Sequence, residues 1–250
     1  MESKKNDLRR FGLVGKNIDY SFSRGHFKKK FKAENLLNCS YENFDLTSID
    51  SLREVFNTDK ISGLNVTTPY KREVIPFLDR LSKPSSEMQA VNTIKFEKNG
   101  KISGHNTDVY GFEKSLVELT AKLPKQALIL GTGGASSAVA YVLDKLKIKF
   151  LYVSRNPQGK HLNYQAVNAE LLNEYQLIVN ASPIGTYPNV ELSPDLPYQA
   201  INKGHILFDL IYNPLETLFL KEGKKRGATI SNGLKMLEYQ AEKSWEIWNS

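Results

Sequence analysis

Ala127-Leu-Ile-Leu-Gly-Thr-Gly-Gly-Ala-Ser136 reads as a buried strand that turns on glycines into a helix. Four consecutive apolar residues suit a strand covered on both faces, as in parallel sheets. Gly131 allows a tight turn, and Gly133 lets backbone approach a pyrophosphate. The helix that follows offers free N–H groups and the positive end of its dipole. Ser136 stands where the usual fingerprint has a third glycine, a small substitution. The next strand, Phe150-Leu-Tyr-Val-Ser154, chooses the nucleotide. A site for NAD ends that strand on Asp or Glu, which accepts from the ribose 2′-hydroxyl. Here it ends Ser154-Arg155-Asn156 with no acid. Arg155 has the fork geometry that clamps a 2′-phosphate, with Lys160 close behind, so NADP is the expected cofactor.

Further along, Leu177–Asn180 and Ile206–Leu210 are apolar strands, and 138–147 has the spacing of a helix. Strands alternating with helices predict a βαβ series with its strands wound in parallel. Upstream, strands are expected at 11–14, 41–46 and 61–66, with helices over 27–35 and 49–56. Asn99-Gly100 marks a hairpin between 91–96 and 101–104. A linking helix is expected over 109–121, and a final helix over 234–248. The fold class is α/β: an N-terminal α/β substrate domain, residues 1–110, and a Rossmann-like NADP-binding domain, residues 111–233. The C-terminal helix, residues 234–250, returns to the first domain.

The segment Asn65-Val-Thr-Thr-Pro-Tyr-Lys71 runs off a strand end. Thr68 suits an N-cap and Pro69 the first position of a helix, so a helix is expected over 71–81, with Val74, Ile75 and Leu78 on one face. Lys71 would then sit where a capping box has Glu or Gln, a cation at the positive end of the dipole. A local rule broken at such a junction points to function. Lys71 becomes a candidate proton donor, balanced by a carboxylate such as Asp108.

Composition bounds the alternatives. The chain has 250 residues, 40% hydrophobic and 24% charged, enough for two modest cores. No apolar run approaches a membrane span. The first ten residues are charged and lack an apolar centre, so no secretory signal is expected. A single cysteine, Cys39, excludes a disulfide framework and fits the cytoplasm. The net charge of +7 is spread in short clusters, which disfavours a nucleic-acid module and suits an anionic metabolite. The four histidines have no metal-ligand spacing, so no metal is expected.

Several segments, in order, resemble the shikimate dehydrogenase family: Ser21-Phe-Ser23, Asn65–Lys71, Ala90-Val-Asn-Thr93, Gly104-His-Asn-Thr-Asp108, the glycine turn, Ser154–Asn156, Asn180-Ala-Ser-Pro-Ile-Gly185, Asp209-Leu-Ile-Tyr212 and Asn232–Leu237 with Gln240. The resemblance covers nearly the whole chain. It implies NADPH-dependent, reversible reduction of 3-dehydroshikimate to shikimate, in the supply of aromatic amino acids. It also implies roles. Ser21 and Ser23 would bind the substrate carboxylate. Thr67, Asn92, Tyr212 and Gln240 would bind the substrate ring, alongside Asp108. Lys71 would be the catalytic lysine with Asp108 as its partner. Gly131, Thr132, Gly133, Gly134, Ala135, Ser136, Ser154, Arg155 and Asn156 would hold NADP, with Leu210 and Gly233 near the nicotinamide.

Tyr20 and Arg24 depart from the family pattern, which has His and Pro there, and Lys83 stands at a commonly acidic position. Hydride arriving at a ketone carbon leaves charge on oxygen, which a lysine ammonium can protonate or stabilise. The expected protein is a monomer or homodimer. The competing readings are a quinate/shikimate dehydrogenase of broader specificity and a redox-inactive NADP-binding regulator.

Overall fold

The structure, a computed structural model, describes residues 8–19 and 21–250. Tyr20 and the first seven residues lie outside them. The chain divides into two compact units. One takes the chain up to Thr107 together with Gln240–Ser250, and the other is Asp108–Tyr239.

The first unit runs β1 (Arg9–Gly15), α1 (Phe22–Ala33), β2 (Cys39–Asp45), α2 (Leu52–Phe56), β3 (Ile61–Val66), β4 (Arg80–Leu81), α3 (Lys83–Met88), β5 (Thr93–Phe96) and β6 (Ile102–His105). Its sheet has the order β2-β1-β3-β5-β6-β4. β1 lies parallel to β2 and β3, while β5 is antiparallel to β3 and to β6, the hairpin expected at Asn99-Gly100. Leu64, Val66, Val91 and Ile94 form one core with Leu52 and Val74. On the other face Phe11, Phe27 and Phe31 pack with Ala241 and Trp248 of the last helix.

The second unit runs α4 (Asp108–Leu119), β7 (Gln126–Leu130), α5 (Gly134–Lys145), β8 (Lys149–Val153), α6 (Ala169–Glu174), β9 (Leu177–Asn180), β10 (Ile206–Asp209), α7 (Leu218–Lys225), β11 (Thr229–Ser231) and α8 (Leu234–Asn249). Its five strands are all parallel in the order β11-β10-β9-β7-β8. Ala127, Leu128, Ile129 and Leu130 are each 0% exposed, as the unbroken apolar run requires. The chain steps from β7 out to β8 and then back to β9 on the other side. That reversal is the switch point beside which such sheets bind ligands. The unit boundary falls inside α8, so Gln240, Ser244 and Trp248 belong to the first unit.

The helix expected over 71–81 does not form. The chain there is a run of turns, then a single 3₁₀ turn over Ile75–Phe77, and then β4. Two causes are visible. Pro76 would fall inside the helix, where it has no N–H to donate. The carbonyl of Lys71, which a helix would use four residues on, instead accepts from Val91 N at 2.8 Å. Ile75 N and Phe77 N reach back only three residues, to Arg72 O and Val74 O. Thr68 and Pro69 are therefore turn residues and not a helix start. α5 also begins at Gly134, four residues before the expected start at 138, so the glycine turn feeds directly into its first turn.

Candidate functional site

Between β7 and α5 the backbone makes the turn its glycines permit. Gly131 has φ +106°, and an added Cβ would lie 3.2 Å from the Ala181 carbonyl oxygen, at the switch point. Gly133 is the N-cap of α5 with no side chain to cap it, which leaves its first amides for a ligand. An added Cβ on Gly133 or Gly134 would meet nothing within 4 Å, so the space in front of the turn is open. Thr132 is exposed on the same turn and Ala135 is half-buried in the first turn of α5. Ser136 is buried and donates to Gly133 O at 2.5 Å, which holds the turn closed.

Beyond β8, Ser154 Oγ accepts from Asn156 N at 3.3 Å. Arg155 is exposed and has no hydrogen-bond or ion-pair partner among the described residues. Gly131, Gly133, Ser154, Arg155 and Ser182 line one cleft of about 160 Å³. Open glycines, helix amides and an unpartnered guanidinium fit a dinucleotide with a 2′-phosphate. Leu210 and Gly233 also meet. An added Cβ on Gly233 would lie 2.1 Å from Leu210 O, so only glycine fits there.

A buried polar network supports this region, and the sequence reading assigned none of its members a role. Asn180 Oδ1 accepts from Ser182 N and Oγ at 3.1 and 2.7 Å. Asn180 Nδ2 donates to Asp209 Oδ1 at 3.1 Å. Asp209 accepts further from Ile211 N at 3.0 Å and Thr217 Oγ1 at 2.6 Å. Burial raises the Asp209 carboxyl to about 6, against the pull of those three donors. The network ties the Ser182 loop of the cleft to the turn that carries Tyr212. Burial also raises the Tyr212 phenol. The recurring Asn-Ala-Ser and Asp-Leu-Ile-Tyr segments were the available signal.

In the first unit, Ser21 caps α1 by accepting from Arg24 N at 3.4 Å, and Ser23 is buried in the first turn. The Arg24 departure therefore supplies an N–H that a proline lacks. Its guanidinium donates to Asp19 O at 3.0 Å. Thr67 and Lys71 are half-buried beyond β3. Asn92, just before β5, is joined to Gln240 of α8 through one side chain. Thr107 Oγ1 lies 3.1 Å from Asn92 Oδ1 and 3.3 Å from Gln240 Oε1. Asn65, Thr93 and Ser244 complete the cluster, with Asn65 Nδ2 donating to Ser244 Oγ at 2.9 Å. The sequence reading missed these three, because their contacts join positions up to 179 apart. Asp108 is buried at the head of α4, in the second unit. Among the described residues no His, Cys, Asp and Glu group could hold a metal, and no helix is long and apolar enough to cross a membrane.

The second unit has the architecture of a Rossmann-type dinucleotide-binding protein, paired in the same chain with a separate mixed-sheet unit. Residues 13–94 match the family described as the shikimate dehydrogenase substrate binding domain. The shikimate dehydrogenase (NADP(+)) of Methanococcus maripaludis is 38% identical, over 95% of this chain and 90% of its own length. A shikimate dehydrogenase crystallised in complex with NADP+ superposes with a TM-score of 0.85 at 34% identity, over 96% of this chain and 90% of the other. A quinate dehydrogenase from Corynebacterium glutamicum, in complex with NAD, gives 0.86 at 25% identity, over 97% and 94%. This chain belongs to the shikimate dehydrogenase family.

Proposed function

We propose that the protein catalyses the reversible NADPH-dependent reduction of 3-dehydroshikimate to shikimate, for aromatic amino-acid biosynthesis. The observation that carries the cofactor choice is Arg155. It stands unpartnered at the end of β8, beside an open glycine turn, where an enzyme for NAD has an acid. Bound NADPH supplies the hydride. The chain supplies the rest. Gly133, Gly134 and the amides opening α5 hold the pyrophosphate, and Arg155 with Ser154 and Asn156 holds the adenosine phosphate. Thr132, Ala135 and Ser136 shape the turn, and Leu210 and Gly233 border the nicotinamide end. Ser21 and Ser23 take the substrate carboxylate. Thr67, Asn92, Tyr212 and Gln240 take the ring oxygens. Lys71 would give a proton to the ketone oxygen, and Asp108 would orient Lys71 and a substrate hydroxyl.

The enzyme works in the cytoplasm as a monomer or homodimer and takes no nucleic acid. One observation favours a second reading, a quinate-oxidising enzyme that uses NAD: the fold shared with the quinate dehydrogenase. The decisive measurement is the initial rate of nicotinamide reduction, with NADP against NAD and shikimate against quinate. A rate confined to shikimate with NADP is expected. A comparable rate with quinate or NAD establishes the broader enzyme, and NADP binding without turnover establishes a regulator.

A further inference from the structure

The helix α1 begins weakly. Its N-cap bond, Arg24 N to Ser21 Oγ, is long at 3.4 Å, and no acid stands in the first turn to face the dipole. Arg24 puts a cation there instead. Gly25 follows it, the residue that costs a helix interior most after proline. This turn carries Ser21 and Ser23, so its order depends on support from outside the helix.

That support comes from α8. Glu242 Oε1 lies 3.0 Å from His26 Nε2, and Glu242 Oε2 accepts from Lys30 Nζ at 2.6 Å. His26 and Lys30 are four residues apart and share one face of α1, so a single carboxylate grips a full turn of it. Burial pushes the Glu242 carboxyl up, but Lys30 and His26 outweigh it and hold the group below the ordinary carboxylate range. An ionised carboxylate only accepts, so His26 Nε2 carries the proton between them. The imidazole in turn stacks on Phe22, with centroids 5.5 Å apart and planes at 25°, and stands edge-on to the buried Phe27 at 5.4 Å. Contact therefore runs from Glu242 through His26 to Phe22, the first helical residue, which lies between the two serines. On α8, Glu242 stands two residues beyond Gln240.

We propose that Glu242 is a positioning residue for the substrate carboxylate: through His26 and Lys30 it orders the first turn of α1 and fixes Ser21 and Ser23 relative to Gln240. The inference rests on the reading in which these serines take the carboxylate and Gln240 a ring oxygen, and it adds the link between them. Glu242 does not touch substrate. Without it, an arriving carboxylate has to order the start of α1 itself, which weakens binding.

The test uses the full chain with NADP and shikimate, and an analogue in which hydroxymethyl replaces the carboxylate, read as an inhibitor. Glu242→Ala should raise the KM for shikimate about 10-fold with kcat within about 3-fold. Glu242→Gln keeps the side-chain volume and an acceptor for one partner, and should raise it about 3-fold. The inhibition constant of the hydroxymethyl analogue should stay within about 2-fold in both variants, because that compound brings no charge to the start of α1. Gly25→Ala strengthens the same turn without touching Glu242, since its new Cβ meets nothing within 4 Å. Added to Glu242→Ala, it should recover about 5-fold of the lost KM. Amide hydrogen exchange over residues 22–26 should quicken in Glu242→Ala and slow again in the double variant. A packing role alone would lower the Tm of Glu242→Ala and either leave the KM unchanged or weaken shikimate and the analogue equally. Both results overturn the inference, as does a KM that Gly25→Ala fails to restore. Absence of shikimate turnover in the folded wild type overturns the functional reading and this inference together, whereas turnover with an unmoved KM in Glu242→Ala and Glu242→Gln overturns this inference alone.

Discussion

Lys71 and Arg155 represent two kinds of residue that a sequence can expose. Arg155 is conspicuous because an expected acid is missing, whereas Lys71 stands out as a cation at a helix N-terminus that does not form, and its role rests on the resemblance of the Asn65–Lys71 segment. Lys71 is half-buried, and its backbone is fixed to Val91. Its ammonium is assigned the proton transfer, so Lys71→Ala should lower kcat by about 10²- to 10⁴-fold. The affinity for NADPH, followed by nucleotide fluorescence, should stay unchanged. Retained turnover in that variant removes Lys71 from the mechanism. The role proposed for Arg155 is to clamp the 2′-phosphate, the only difference between the two nucleotides. Losing a charge-assisted pair costs about 1.5–3 kcal/mol, so Arg155→Ala should raise the KM for NADP about 10- to 100-fold. Rates with NAD should not move. Equal losses with both nucleotides would mean that Arg155 supports the turn and not the phosphate. The residues hidden from the sequence are those with no local oddity. Asn65, Thr93 and Ser244 are ordinary polar residues until folding brings β3, β5 and α8 to one point.

At the scale of elements, legibility followed how local the cause was. β7 and β9 were readable because burial on both faces demands unbroken apolar runs, and the hairpin because Asn99-Gly100 is itself the turn. The expected helix over 71–81 failed because apolar spacing was weighed without Pro76, and because the partner of the Lys71 carbonyl lies 20 residues on. The two-residue β4 and three-residue β11 exist only as additions to sheet edges, with too few residues for any period. α8 was foreseen as a packing helix, and its anchor is now specific. Trp248 donates Nε1–H to Ile94 O at 2.9 Å, stacks on Phe11 and fills the space that Gly63 leaves without a Cβ. Trp248→Ala should therefore lower unfolding free energy by about 3–5 kcal/mol in urea melts, and it should raise the KM for shikimate because Gln240 rides on the same helix. The KM for NADP, whose site belongs to the other unit, should hold. A variant as stable as wild type would show that α8 is not anchored at this residue.

For the whole molecule, the acid–base balance of stability has one distinctive contributor. The chain has 34 Lys and Arg against 27 Asp and Glu, so its self-repulsion grows as acid protonates the carboxylates. Surface groups of this kind give a broad, shallow dependence on pH. Asp209 acts in the opposite sense. It is 0% exposed, and the donors that reach it, Asn180, Ile211 and Thr217, are all neutral. Burial raises its carboxyl from an ordinary 3.8 to about 6 in the folded protein. Between those values the folded state binds more protons than the unfolded chain, so the stability this group supports is complete below pH 3.8 and is lost as pH rises through 6. The gap of about two pH units corresponds to on the order of 3 kcal/mol. Asp209→Asn keeps an oxygen for Asn180 and Ile211 and offers an N–H to the Thr217 hydroxyl, which can rotate to accept it. It removes the titration while preserving the network. Urea unfolding of both proteins from pH 4 to pH 8 isolates the contribution, because the surface charges cancel in the difference. Wild-type stability should fall relative to Asp209→Asn across the interval from about pH 4 to pH 6 and run parallel to it above. A difference independent of pH would mean that Asp209 titrates at its ordinary value, and that the loop carrying Tyr212 is held by an ionised carboxylate throughout.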